Sequence, residues 1–224
     1  MKNTAVPAPS DEVVILLHGL ARTHRSLSKL EQQLHKAGYT VINQGYPSRK
    51  YPIQFLAENF VKPAVIQSRH AHRIHFVTHS MGGILVREYL SHHLPENLGR
   101  VVMMAPPNQG SQVVDRLGKY PGFRYFNGPA GLQLGTGNES IPNKLPEVSY
   151  ETGIIAGNKT INFLLSTLLP GDNDGKVTVT STRVKGMKDH ITLPVNHPLM
   201  MNNDEVISEI THFLNNGLFR HHQP

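Results

Sequence analysis

The run Val77-Thr78-His79-Ser80-Met81-Gly82-Gly83 sets a serine between a strand-like apolar segment and a helix-like one. A serine on so tight a turn has its hydroxyl lifted above the carboxyl edge of a sheet, where it can act as a nucleophile. Such a turn needs small residues where strand and helix nearly collide. Gly82 supplies one on the helix side, and Thr78 stands where the G-x-S-x-G pattern has its first glycine. The plainer reading of the same run is a serine capping a helix N-terminus. A serine hydroxyl is a poor nucleophile at neutral pH, so the chemical reading requires a histidine to take its proton and an acid to hold the imidazole. Asp174, in Asp172-Asn173-Asp174-Gly175, and His197, in Val195-Asn196-His197-Pro198, are the candidates. Asp172 is a rival acid, although the place of Asp174 just before Gly175 and Val177-Thr178-Val179 favours the latter. His190 is a rival base, but it opens a strand-like run, whereas His197 follows one.

Apolar runs alternating with helix-period segments supply the frame for these residues, the pattern of an α/β protein with a mostly parallel sheet. Val13 to Leu17 is a continuous apolar run, as expected of a strand buried on both faces. Leu27, Leu30 and Leu34 follow at helical spacing, with Ala37-Gly38 as the stop. Further strands are expected at Tyr39 to Ile42, Ile74 to Thr78, Val101 to Ala105, Ile154-Ile155 and His190 to Val195, and Ile161 to Leu169 is a further apolar stretch. A helix is expected over Phe55 to Ile66, against the presence of Pro63. Another follows His79-Ser80-Met81-Gly82-Gly83 and runs through Tyr89 and Leu90. Val206, Ile207, Ile210, Phe213 and Leu214 define a closing amphipathic helix that stops near Gly217. From Asn108 to Leu145 the periodicity fails, which reads as a structureless lid or binding loop. Its Leu117, Tyr120, Phe123, Tyr125, Phe126, Leu132 and Leu134 either line an apolar groove or anchor the loop to the body.

Composition bounds the remainder. At 224 residues the chain is expected to form a single domain. It has no cysteine, which removes disulfides, thiolate metal sites and cysteine nucleophiles. No apolar run approaches the roughly 18–20 residues of a membrane span, and Met1 to Ser10 lack the apolar core of a signal peptide, so a cytoplasmic location is expected. The net charge is +6, but the basic residues are scattered without interleaved aromatics, so no nucleic-acid partner and no membrane-surface contact is indicated. The clusters His70/His72/His75, His92-His93 and His221-His222 read as solvated faces, and no metal site is expected. A calcium loop counted from Asp172 fails because its twelfth position is Arg183.

His18-Gly19, His79-Ser80-Met81-Gly82-Gly83, Ala105-Pro106-Pro107-Asn108-Gln109-Gly110-Ser111, Asn173-Asp174-Gly175 and Val195-Asn196-His197 together resemble a small bacterial lipase/esterase of the α/β-hydrolase superfamily. The likeness runs from residue 12 to about residue 216. It implies an α/β-hydrolase with a mostly parallel sheet flanked by helices on both faces; the sheet starting directly at the His-Gly strand departs from the family pattern and suggests a minimal member without its usual N-terminal hairpin. A cap over about 108–145 is implied too. So is the chain order serine, acid, histidine, giving a triad of Ser80, Asp174 and His197. The backbone N–H groups of Leu20 and Met81 would form the oxyanion hole. The implied activity is hydrolysis of a small-molecule or lipid carboxylic ester through an acyl-enzyme, without a cofactor. No broad hydrophobic lid is evident, which favours soluble or short-chain esters. An acyltransferase or thioesterase with the same triad, and a catalytically silent fold used for binding, are the alternatives.

Overall fold

The computed structural model describes residues 11–161 and 169–221. Six strands form one sheet: β1 (Glu12–Leu17), β2 (Thr40–Gln44), β3 (Arg73–His79), β4 (Leu98–Met104), β5 (Thr152–Gly157) and β6 (Asp189–Leu193). Their spatial order is β2-β1-β3-β4-β5-β6, and every neighbouring pair is parallel. The chain leaves β1 toward one edge and returns on its other side as β3. The sheet therefore has its switch point between these two strands, where ligands of open parallel sheets bind outside the carboxyl ends. Leu17 pairs with Thr78 there, so the segments that follow, His18 to Arg22 and Ser80 onward, leave the sheet side by side.

All six residues of β1 are buried, as its unbroken apolar run requires. Side chains alternate along a strand, so Val13, Ile15 and Leu17 enter one core, with Phe76, Ile84 and Leu85. Val14 and Leu16 enter the other, with Leu30, Leu34 and Phe213. Helices α2 (Ile53–Leu56), α3 (Lys62–Gln67) and α4 (Met81–His92) cover the first face, and α1 (Ser28–Lys36) and the closing helix cover the second. α2 and α3 are joined by a wide i→i+5 turn over Ala57–Val61. That turn reconciles the expected helix with Pro63: the proline falls in the first turn of α3, where its missing N–H is not required.

The segment expected to be a structureless loop is helical. It holds α5 (Gln112–Leu117), α6 (Pro121–Leu132) and α7 (Ile141–Lys144). Its periodicity does not show in the sequence because these helices are short and interrupted. Gly128 (φ +65°) breaks α6 before Pro129, and a Cβ there would lie 1.8 Å from Arg49 O, so only glycine fits. Both ends of the segment are tied to α4 by buried Arg87. Its Nη1 donates to Asn108 O (3.2 Å) and Oδ1 (3.1 Å), and its Nη2 donates to Leu145 O (3.3 Å) and Pro146 O (3.1 Å).

A short helix α8 (Val179–Thr182) precedes β6, and α9 (Asp204–Asn216) closes the fold. Asn203 caps α9 by accepting from Val206 N (3.1 Å), and Gly217 (φ +76°) ends it in the left-handed region. The apolar stretch at Ile161 to Leu169, apart from its two ends, lies outside the described residues, as do Met1 to Ser10. Among the described residues, no helix is long and apolar enough to cross a membrane.

Candidate active site

Ser80 joins β3 to α4 with φ +53° and ψ −121°, a conformation that costs a non-glycine residue about 1–3 kcal/mol. The strain follows from how tightly α4 starts against β1. A Cβ on Gly82 would stand 2.5 Å from Leu17 O and 3.0 Å from His18 O. Thr78 stands in place of the pattern's first glycine, and a Cβ on Gly83 would reach its Oγ1 only at an ordinary 3.4 Å, whereas it would be 2.9 Å from Pro106 Cβ. The helix-capping reading of Ser80 does not hold, since its side chain makes no cap bond to α4.

The hydroxyl instead donates to His197 Nε2, 3.1 Å away. His197 Nδ1 lies 2.7 Å from Asp174 Oδ2. A carboxylate only accepts, so Nδ1 carries the ring proton and Nε2 is left as an acceptor facing Ser80. His197 is 3% and Asp174 1% exposed. The other carboxylate oxygen accepts from Lys176 N (2.9 Å) and Val177 N (2.8 Å). His197 N also donates to Asp174 O (3.0 Å), which fixes the two loops to each other. The rivals are elsewhere. Asp172 is exposed, and His190 Nε2 donates to Thr182 Oγ1 (2.9 Å).

The loop after β1 is held from beneath. His18 donates from Nδ1 to Gly19 O (2.9 Å), accepts from Tyr46 N at Nε2 (3.4 Å), and stacks on the Tyr46 ring at 4.0 Å. The Tyr46 hydroxyl donates to His18 O, and Ser48 Oγ accepts from Ala21 N (3.1 Å). Burial holds the His18 pKa below its ordinary value, which keeps the ring neutral for these bonds. Leu20 thus lines the same pocket as Ser80. Met81 is the first residue of α4, where a backbone N–H has no acceptor within its own helix.

His79 forms the floor. Its Nε2 donates to His197 O (3.0 Å), and a Cβ on Gly19 would be 2.9 Å from its Nδ1. Burial first, and then the neighbouring His197, hold its pKa well below the ordinary histidine value, so it stays neutral.

The pocket over Ser80 encloses about 630 Å³, part of it open to solvent. Leu20, Val113, Val114, Phe123, Leu134 and Val177 give it apolar walls. Of the aromatic residues expected in a groove, Phe123 lines it, whereas Tyr120, Tyr125 and Phe126 are 54%, 81% and 63% exposed. Arg22 and Lys176 line it as well, and sequence reasoning missed both, as it missed Tyr46, Ser48 and Arg87. The only advance signal among these was Arg87, a charge inside the apolar run of α4. Of the His70/His72/His75 cluster, His72 Nδ1 comes within 3.9 Å of Glu12 Oε1, the carboxylate that also meets His75. Buried His75 spends its ring on Glu12 Oε2 (3.1 Å) and Arg100 N (2.9 Å), while His70 and His72 are exposed.

The fold has many likenesses among solved structures. The lipase BlEst2 of Bacillus licheniformis in its mature form is 21% identical, with 94% of each chain covered and a TM-score of 0.75. A metagenomic carboxyl esterase is 18% identical over 88% of this chain and 68% of that one, with a TM-score of 0.63. The phospholipase PlaB of Legionella pneumophila is 22% identical over 77% of this chain and 45% of that one, with a TM-score of 0.59. At such identities the likeness is one of fold. No curated protein matches the sequence. The family model described as the alpha/beta hydrolase fold matches residues 12–126, just over half of the chain, and the protein belongs to that family.

Proposed function

We propose that the protein is a serine hydrolase that cleaves carboxylic esters through Ser80, His197 and Asp174. The observation that carries this reading is the unbroken relay of 3.1 Å from Ser80 to His197 and 2.7 Å from His197 to Asp174, at the wall of an apolar pocket. Ser80 Oγ attacks the ester carbonyl carbon as His197 Nε2 takes its proton. Asp174 holds the imidazole in the required tautomer and stabilises the imidazolium that forms. The negative charge on the carbonyl oxygen is met by the Leu20 and Met81 amides. Collapse of this intermediate breaks the bond to the alcohol oxygen, which receives the proton from His197 and departs. Water, deprotonated by the same histidine, then attacks the acyl-enzyme, releasing the acid and restoring Ser80. The lipase and esterase names of the structural neighbours agree with this class of reaction.

The test is hydrolysis of p-nitrophenyl esters from acetate to palmitate by wild type and Ser80→Ala. Turnover that falls by about 10⁶-fold in the variant supports the assignment. Turnover that survives in Ser80→Ala, or a folded wild type that neither turns over any ester nor labels with a fluorophosphonate, refutes it.

A further inference from the structure

Among the described residues, Arg22 and Lys176 are the two ionic side chains on the wall of the Ser80 pocket, and no carboxylate shares that wall. The Arg22 guanidinium and the Lys176 backbone are each held by their surroundings. Arg22 Nη2 donates to Pro198 O (3.3 Å), which sets the guanidinium beside the residue that follows His197. Lys176 N donates to Asp174 Oδ1 (2.9 Å), and its carbonyl accepts from Ser111 Oγ (3.1 Å), so its backbone is pinned between the acid and the cap. Among the described residues neither cation has an acidic partner. The carboxylate nearest in sequence, Asp174, is buried and already bonded to His197 and to two amides. Desolvation first, and then the Arg22 charge, hold the Lys176 pKa below its ordinary value, against the pull of Asp174. Arg22 and Lys176 also both act on His79, directly beneath Ser80. Two unpaired like charges beside one pocket make its field positive, and an arriving anion relieves the repulsion between them.

Where that anion sits follows from the chemistry of the step. His197 gives its proton to the departing oxygen, so the alcohol part of the ester must lie against His197. Arg22, anchored on Pro198, and Lys176, following Asp174, flank that side. Val113, Val114, Phe123 and Leu134 give the same pocket an apolar lining that suits the acyl chain. We infer that the pocket selects esters whose alcohol part carries an anionic group, a carboxylate or a phosphate, bound by Arg22 and Lys176. This inference rests on the serine-hydrolase reading above.

The experiment compares matched esters by pH-stat: O-butyrylglycolate against its methyl ester, and 2-(butyryloxy)ethyl phosphate against its dimethyl triester. Each rate is divided by the rate with hydroxide. The expected result is a kcat/KM about tenfold higher for the anionic member, carried mainly by KM, as charge-assisted contacts at a solvent-facing rim supply. The preference shrinks with added salt and falls toward one in Arg22→Gln/Lys176→Gln. The carboxylate and phosphate arms then rank the two anions. A ratio at or below one in wild type overturns the inference, as does a ratio that the double variant leaves unchanged. So does a preference that appears instead for an anionic acyl chain, measured with mono-p-nitrophenyl glutarate against p-nitrophenyl butyrate. All these outcomes leave neutral esters being turned over. Loss of turnover on every ester, together with no labelling of Ser80, refutes the hydrolase reading itself and this inference with it.

Discussion

Replacing Gly82 by alanine probes the contact on which the geometry around Ser80 depends. The new Cβ would meet Leu17 O at 2.5 Å and His18 O at 3.0 Å, and both are backbone atoms that cannot swing aside. Restoring ordinary contact at ~3.5 Å requires the start of α4 and the end of β1 to part by about 1 Å. Overpacking of this kind costs about 1–3 kcal/mol, and the better helix propensity of alanine offsets less than ~1 kcal/mol of it. The larger effect falls on turnover. Ser80 and Met81 travel with α4 while Leu20 travels with β1, so the same shift widens the space between the two amides proposed to hold the oxyanion. A displacement of ~1 Å at a reacting centre lowers kcat/KM by about 10²-fold. Esterase kinetics and urea unfolding should be measured together, with Gly122→Ala as the reference, because a Cβ at that position meets nothing within 4 Å. If Gly82→Ala retains wild-type stability and turnover within about twofold, the close approach of α4 to β1 does not set the site, and the reasoning fails.

Two further outcomes follow from the buried groups. Asp174→Asn keeps the shape of the side chain but can present an N–H to His197 Nδ1, which moves the ring proton to Nε2 and removes the acceptor for Ser80. Turnover should fall by about 10⁴-fold with the circular dichroism spectrum unchanged, and a loss below tenfold would remove Asp174 from the proposed triad. His190 is held down to about 4 from the ordinary 6.5, by burial first and then by Arg183. The unfolded chain therefore binds a proton at this site as pH falls below 6.5, while the folded chain does not until about 4, so folded stability drops across that window. Discounted for its solvent exposure, the site contributes about 1–2 kcal/mol of that drop. His18, His75 and His79 are lowered in the same direction, so the readout is a difference: urea midpoints at pH 7 and 4.5 should converge more in His190→Gln than in wild type. Equal pH dependence in the two proteins would count against the assigned cause.

The strands were the most legible part of the chain, for a reason particular to parallel sheets. β1 is covered on both faces, so every position from Val13 to Leu17 must be apolar, and the run is unmistakable. The candidate site was legible as far as it is written in order along the chain. Ser80 and His197 follow β3 and β6 closely at the carboxyl edge, Asp174 comes back beside Gly157 at the end of β5, and the fold brings the three to one place. What escaped was everything that works by proximity alone. Arg87 reaches residues 21 and 58 positions away, and Arg22 reaches Pro198, 176 positions away; no local spacing encodes such pairs. The same limit explains the misjudged aromatics of α6. Without a recognised helix, Phe123, Tyr125 and Phe126 looked equally fit to line a groove. Once the segment is helical, successive residues point ~100° apart, so Phe123 shares a face with Asn127, four residues on, while Tyr125, two residues on, points to the far side. Phe123 and Asn127 are the two that meet the pocket.

Thr78 marks a different boundary, between what a motif states and what the physics requires. The pattern asks for glycine there, yet the demand is only that strand and helix clear each other. Gly82 meets it against the carbonyls of Leu17 and His18, and Gly83 meets it against Pro106 and Met103. With the clearance supplied on the helix side, a buried threonine is accommodated on the strand side, and its Oγ1, without a hydrogen-bond partner among the described residues, carries the remaining cost. Valine at position 78 replaces that hydroxyl with a methyl group of similar size in the same β-branched frame. Thr78→Val should therefore unfold at equal or higher urea concentration than wild type, and a clear loss of stability would mean that the hydroxyl is satisfied and that the strand side bears part of the turn after all.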